Sequence, residues 1–175
     1  MNKKELFALQ ISNIIDAAKI SKEWATHTIS VLDSGLNRNV LEVNATLYEK
    51  LMPKPRTGLL LHRSYFDDVT PENDLGSTVA TLEDIRAILS FTENLTADAK
   101  LLVHCSAGIS RSTAVATGIL CQQGLTPVEA LKKVSAVRHF ARPNAHVIAL
   151  MDTALGLNNA LKDALQLHRR FSINS

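Results

Sequence analysis

Leu101-Leu102-Val103-His104-Cys105-Ser106-Ala107-Gly108-Ile109-Ser110-Arg111-Ser112 is the stretch on which the fold turns. Its first three residues are a short, wholly apolar run of the kind that buried strands show, and they lead straight into His104-Cys105. After Gly108 the pattern becomes helical through Thr113 to Gln123, and Gly124 is the C-terminal stop. The unit reads as strand, tight loop, helix.

Working outward, Leu6 to Ile11 and Thr28 to Leu32 are short apolar runs rich in β-formers, each followed by a breaker or polar residue, and both are expected as strands. Between them Ser12 is placed to cap a helix carrying Ile14, Ile15 and Ala18 on one face, which makes a first β-α-β unit. Residues 35–56 show no sustained period and are read as loop with one weak element. Leu59-Leu60-Leu61 opens a third strand towards Tyr65 and Phe66, which Asp67-Asp68 ends, and residues 70–77 are turn-like. Thr81 is a good N-cap for a helix with Leu82, Ile85, Ile88, Leu89 and Leu95 along one face.

On the other side of the loop, Thr126-Pro127-Val128-Glu129 is a capping-box pattern opening a helix to about Arg138. Pro143 is expected to start another, reaching Leu155, and residues 158–171 form a last amphipathic stretch with Leu161, Ala164, Leu165 and Leu167. Strands alternating with helices predict an α/β sandwich with a mostly parallel central sheet flanked by helices and a helical C-terminal third. The expected organisation is one domain over 1–175, with a core at about 6–156 and the C-terminal helix at about 158–171.

Composition agrees with a single folded unit. The chain has 175 residues, 46% of them apolar and 21% charged, which is ordinary globular usage. A formal charge of +2 is too small to predict nucleic-acid or membrane binding, although a local basic patch can still collect an anionic substrate. Cys105 and Cys121 cannot build a disulfide framework and have no metal-ligand spacing, so a reducing, cytoplasmic setting is expected. After Met1-Asn2-Lys3-Lys4, the residues Gln10, Asn13 and Asp16 interrupt what would otherwise begin like a signal peptide, and no run reaches the roughly 20 apolar residues of a spanning helix.

The loop itself carries the chemistry. Between a buried strand and a helix, it can turn successive backbone N–H groups inward and add the helix N-terminus, making a nest for a tetrahedral dianion from Ser106, Ala107, Gly108, Ile109, Ser110 and Arg111. Gly108 permits a backbone conformation that other residues resist, and Ser106, Ala107 and Ser110 are small enough for tight curvature. The same dipoles favour a thiolate nucleophile at Cys105. Arg111 offers a planar fork for two phosphoryl oxygens, and Ser112 is close enough in sequence to donate to the sulfur when it leaves.

With these residues in register, the sequence resembles the protein tyrosine phosphatase superfamily, whose signature is His-Cys, five residues, Arg, then Ser or Thr. His104-Cys105, Gly108, Arg111 and Ser112 match it. Over residues 28 to 156 the chain is similar to the compact dual-specificity branch, and to small bacterial tyrosine phosphatases, through Phe66-Asp67-Asp68-Val69, the Ser106 to Ser112 loop and Pro143-Asn144. The resemblance implies a phosphomonoesterase without metal or cofactor. The thiolate makes a cysteinyl-phosphate, an aspartic acid protonates the leaving oxygen, and the same residue then activates water. It also implies a phosphorylated protein or peptide substrate. The Phe-x-Asp match favours Asp68 as the acid; Asp67 is the alternative and Asp74 a remote one.

Other residues have plainer readings. His104, next to a strand-end nucleophile, points to the opposite side of the chain and is expected to hydrogen-bond the loop backbone. Asn144 either ties its loop to the site or caps a helix. Cys121 reads as a small core hydrophobe. Arg138, His139, Arg142, His168, Arg169 and Arg170 read as solvated charge, the first three with the option of lining the pocket. Rival functions are a phosphoinositide or other small-molecule phosphatase, disfavoured by the absence of lysine from the loop, and a pseudophosphatase that binds phosphate without turnover.

Overall fold

A computed structural model describes residues 6–37, 50–73 and 76–172. Residues 38–49 of the stretch read as loop, the Met1 to Lys4 start and Asp74 lie outside the described residues. The strands are β1 (Ala8–Ser12), β2 (His27–Leu32), β3 (Leu60–Tyr65) and β4 (Lys100–His104), in a four-stranded sheet of order β1-β4-β2-β3. Every pairing is parallel. β4 therefore has a strand on each side and layers on both faces, and Leu101 to His104 are all buried. That position explains a run with no polar alternation. β1 and β2 do not pair with each other, because β4 runs between them.

The helices are α1 (Ile14–Glu23), α2 (Leu82–Thr92), α3 (Arg111–Gln122), α4 (Pro127–Val137), α5 (Ala145–Leu155) and α6 (Ala160–Ser172). Helix α3, which follows the loop, is buried from Arg111 to Leu120. A helix covered on all sides cannot be amphipathic, and its small residues let neighbours come close. A Cβ on Gly118 would lie 2.3 Å from Met151 Sδ of α5. The buried hydroxyls of Thr113 and Thr117 are satisfied one turn back along the chain by the carbonyls of Ile109 and Thr113, at 2.6 and 2.7 Å. Thr81 with Asp84, and Thr126 with Glu129, close the capping boxes of α2 and α4.

Several boundaries differ from expectation for local reasons. Ser12 is the last residue of β1, and the cap of α1 is Asn13, whose Oδ1 accepts from Asp16 N at 2.9 Å. The phase of α1 moves with it: Ile14, Ala17 and Ser21 are buried and Ile15 is 70% exposed. Pro143 precedes α5 without starting it, since Asn144 is the cap. In α6 Leu161, Ala164 and Leu165 are buried but Leu167 is 51% exposed. The start of α6 is held by buried Asp152, which accepts from the N–H groups of Asn159 and Leu161 at 2.8 and 2.7 Å and so does a capping residue's work from another helix. Among the described residues, no helix is long and apolar enough to cross a membrane.

Candidate active site

All the parallel strands run the same way, so their C-terminal ends share one edge, the edge where open α/β sheets bind ligands. β4 delivers Cys105 there, β3 delivers Phe66 to Asp68, and β2 delivers Asp33. The 106–110 loop is held from outside by its carbonyls. Ser106 O accepts from Ile14 N, Ala107 O and Gly108 O from the Arg138 guanidinium, Ile109 O from Arg142 N and Ser110 O from Asn144 N, at 2.9–3.2 Å. Holding successive carbonyls outward is the condition for turning amides inward, and Gly108 N reaches Cys105 Sγ at 3.2 Å.

Gly108 has φ +70, and a Cβ there would lie 2.5 Å from the carbonyl carbon and oxygen of Ser12. Neither a left-handed backbone nor a backbone clash is easily relieved. Gly108→Ala should therefore cost roughly 2–4 kcal/mol, the sum of positive-φ strain and overpacking. Urea unfolding checks this; a midpoint unchanged from the wild type would remove the glycine from this role.

Cys105 is 1% exposed, and its Sγ lies 3.2 Å from Ser112 Oγ, the pairing expected of these two. His104 is fully buried. Its Nε2 stands 2.7 Å from Ser30 Oγ on β2, a hydrogen bond across the sheet that the sequence did not foretell, while the Cys105 backbone beside the ring also acts on it. Burial pushes its pKa down to about 4, which leaves a neutral ring that suits a structural place.

Arg111, 3% exposed, is gripped on two sides. Nη1 donates to Phe66 O at 2.7 Å, and Nη2 lies 2.7 Å from Asp33 Oδ1 and 3.1 Å from Ser106 Oγ. Ser106 Oγ in turn donates to Asp33 Oδ2 at 3.0 Å. Asp33 thus ties the arginine and the loop together. The sequence reading missed it, although an acid directly after an apolar strand, at the edge where the sites of such sheets gather, is a visible signal.

The two neighbouring acids separate cleanly. Asp67 accepts from Ser34 N at 2.9 Å, Ser34 Oγ at 2.7 Å and Thr78 N at 2.8 Å. Burial opposes its ionisation, but these donors and the Arg111 charge outweigh it, and its pKa is lowered. Asp68 turns the other way and is exposed, with Oδ1 accepting from Ser110 Oγ at 2.6 Å and Asn144 Nδ2 at 2.9 Å. Asn144 fills both offices read for it, since its Oδ1 also accepts from His146 N and Val147 N at the start of α5.

Of the basic residues read as solvated, Arg138 is half-buried and braces the loop through Ala107 O and Gly108 O, a link across 30 residues that has no local signal. His139, Arg142 and Arg170 are exposed. Burial, with the Asp152 charge adding to it, pushes the Cys121 thiol up to about 12, in keeping with a partly buried place against the core, away from the loop. Among the described residues, no group of three His, Cys, Asp or Glu stands where it could hold a metal ion.

No family model and no curated protein matches the chain. Solved structures do. Human DUSP28 is 20% identical, with 87% of this chain and 90% of that one covered at a TM-score of 0.59. A human tyrosine phosphatase-like serine/threonine/tyrosine-interacting protein is 19% identical over 87% and 94%, at 0.60. PTPMT1 in complex with PI(5)P is 18% identical over 89% and 91%, at 0.52. The chain has the compact α/β fold of the dual-specificity phosphatases.

Proposed function

From that fold, we propose that the protein hydrolyses phosphomonoesters through a cysteinyl-phosphate, acting on phosphotyrosine or on phosphorylated side chains more broadly in a protein or peptide. The observation that carries the reading is the placement of Asp68: it is held beside the loop by Ser110 and Asn144, while Asp67 is tied off by Ser34 and Thr78. In the first step Cys105 Sγ bonds to phosphorus as the P–O bond to the leaving group breaks, and Asp68 gives that oxygen its proton. Both donors meet Asp68 at Oδ1, which leaves Oδ2 to carry the transferable proton in this reading. In the second step Asp68 takes a proton from water, the water oxygen bonds to phosphorus, and the sulfur leaves as thiolate, received by Ser112 Oγ. Loop amides and Arg111 supply the anion stabilisation throughout.

Para-nitrophenyl phosphate hydrolysis in chelator tests this. Turnover is expected to be undiminished, and acid quenching during turnover should recover phosphate on the Cys105 peptide. Activity that disappears in EDTA and returns with a divalent ion would contradict the mechanism, and tungstate binding without turnover would leave a pseudophosphatase. A phosphoinositide substrate is the second reading, favoured by the Arg138 guanidinium beside the loop and by the fold shared with a protein that has been crystallised with PI(5)P. A phosphotyrosine peptide and PI(5)P assayed side by side decide between them.

A further inference from the structure

Segment 138–143 has two sides. One braces the loop through the Arg138 guanidinium and Arg142 N. The other, together with Ser135 of α4 and the last turns of α6, encloses a cavity of about 510 Å³. His139, Phe140, Arg142, His168 and Arg169 line it with Ser135, and among the described residues of its wall none is acidic. Guanidinium groups donate and never accept, so a wall with two of them, two imidazoles and a hydroxyl beside Phe140, Ala141 and Pro143 is matched to an anion on an apolar body and mismatched to a cation.

Part of this wall is set before any ligand arrives. Arg169 Nη2 donates to Pro143 O at 2.7 Å, and His168 Nε2 lies 3.1 Å from Ser135 Oγ. The size narrows the ligand class. A cavity of about 510 Å³ lies in the range of small-molecule sites and greatly exceeds the roughly 30 Å³ share of one water, so it has room for a phosphate and the body that carries it. Phe140, 76% exposed, presents an aromatic face to that body.

We propose that this cavity is a second anion site, separate from the catalytic loop, which takes a phosphomonoester on an aromatic body. Arg142 and Arg169 hold the phosphoryl oxygens, His139 adds a ring donor, and Phe140 stacks on the body. The attraction is electrostatic at a partly open surface, so affinity falls as ionic strength rises.

Calorimetric titration of the intact chain with sodium tungstate at neutral pH tests the site. Two equivalents are expected, with His139→Ala/Arg142→Ala weakening one by at least about tenfold and Arg111→Ala removing the other. Both side chains of the double variant are exposed, so it should fold. Should Arg111→Ala not fold, the intact chain against the double variant decides alone. Stoichiometry and affinities unmoved by the double variant overturn the proposal. If the double variant loses an equivalent and Arg111→Ala loses none, the cavity stands and the anion role of the loop falls. In the Arg111→Ala background, phosphotyrosine should bind several-fold tighter than glycerol 3-phosphate, and Phe140→Ala should erase the difference. Equal binding of the two before that substitution overturns the aromatic part of the ligand class.

Discussion

Arg111→Lys is expected to lower kcat/KM for para-nitrophenyl phosphate by on the order of 10²–10³, the scale of losing a preorganised oxyanion donor. The native guanidinium spreads its donors in a plane, and that plane is already fixed by Phe66 O, Asp33 and Ser106 Oγ. An ammonium offers its protons from one atom and cannot hold Phe66 O, Asp33 and a phosphoryl oxygen together. The damage should extend beyond the clamp. Phe66 directly precedes the two acids, so releasing its buried carbonyl loosens the strand exit that presents Asp68. Both kcat and KM should therefore suffer, and tungstate affinity should fall with them. Kinetics within a few-fold of wild type would take Arg111 out of the clamp.

Asp68→Asn should lower kcat on the same substrate by roughly 10² or more, with a weaker effect where the leaving group needs no proton. The amide can still meet Ser110 and Asn144 but has no proton to give. Asp67→Asn should do something different. The folded pKa of Asp67 lies below its unfolded value, so its contribution to stability is complete above the unfolded value and is lost as pH falls through the folded one. The variant should thus melt earlier at neutral pH, and its deficit should close in acid. Because Asp67 is partly open to solvent, screening keeps the effect modest. Rate against leaving-group pKa, and melting against pH, measured for both variants, check the division. A rate loss confined to Asp67→Asn would reverse the two roles.

Much of the fold is written locally. The apolar run at 101–103, the Thr81 and Thr126 capping boxes and Gly124 each follow from residues within a few positions of one another, where hydrogen bonding and steric rules act directly. The spacing of Cys105, Arg111 and Ser112 is likewise a property of one loop and the first turn of a helix, so the candidate site's centre is legible without coordinates. Which acid faces it is only half legible. Strand alternation says that Asp67 and Asp68 point apart, and the Phe-x-Asp match favours Asp68; the packed chain adds that Ser34 and Thr78 hold Asp67, and Ser110 and Asn144 hold Asp68. Asp33 on Arg111, Arg138 on the loop carbonyls and Asp152 at the start of α6 are of the same kind. Each is a polar group whose partner comes from elsewhere in the packed chain, because a buried donor or acceptor must be satisfied by whatever the fold brings within about 3 Å. Sequence determined where Cys105, Arg111 and Gly108 stand, since sterics and helix geometry act over a few residues; packing alone decided which distant side chains hold them.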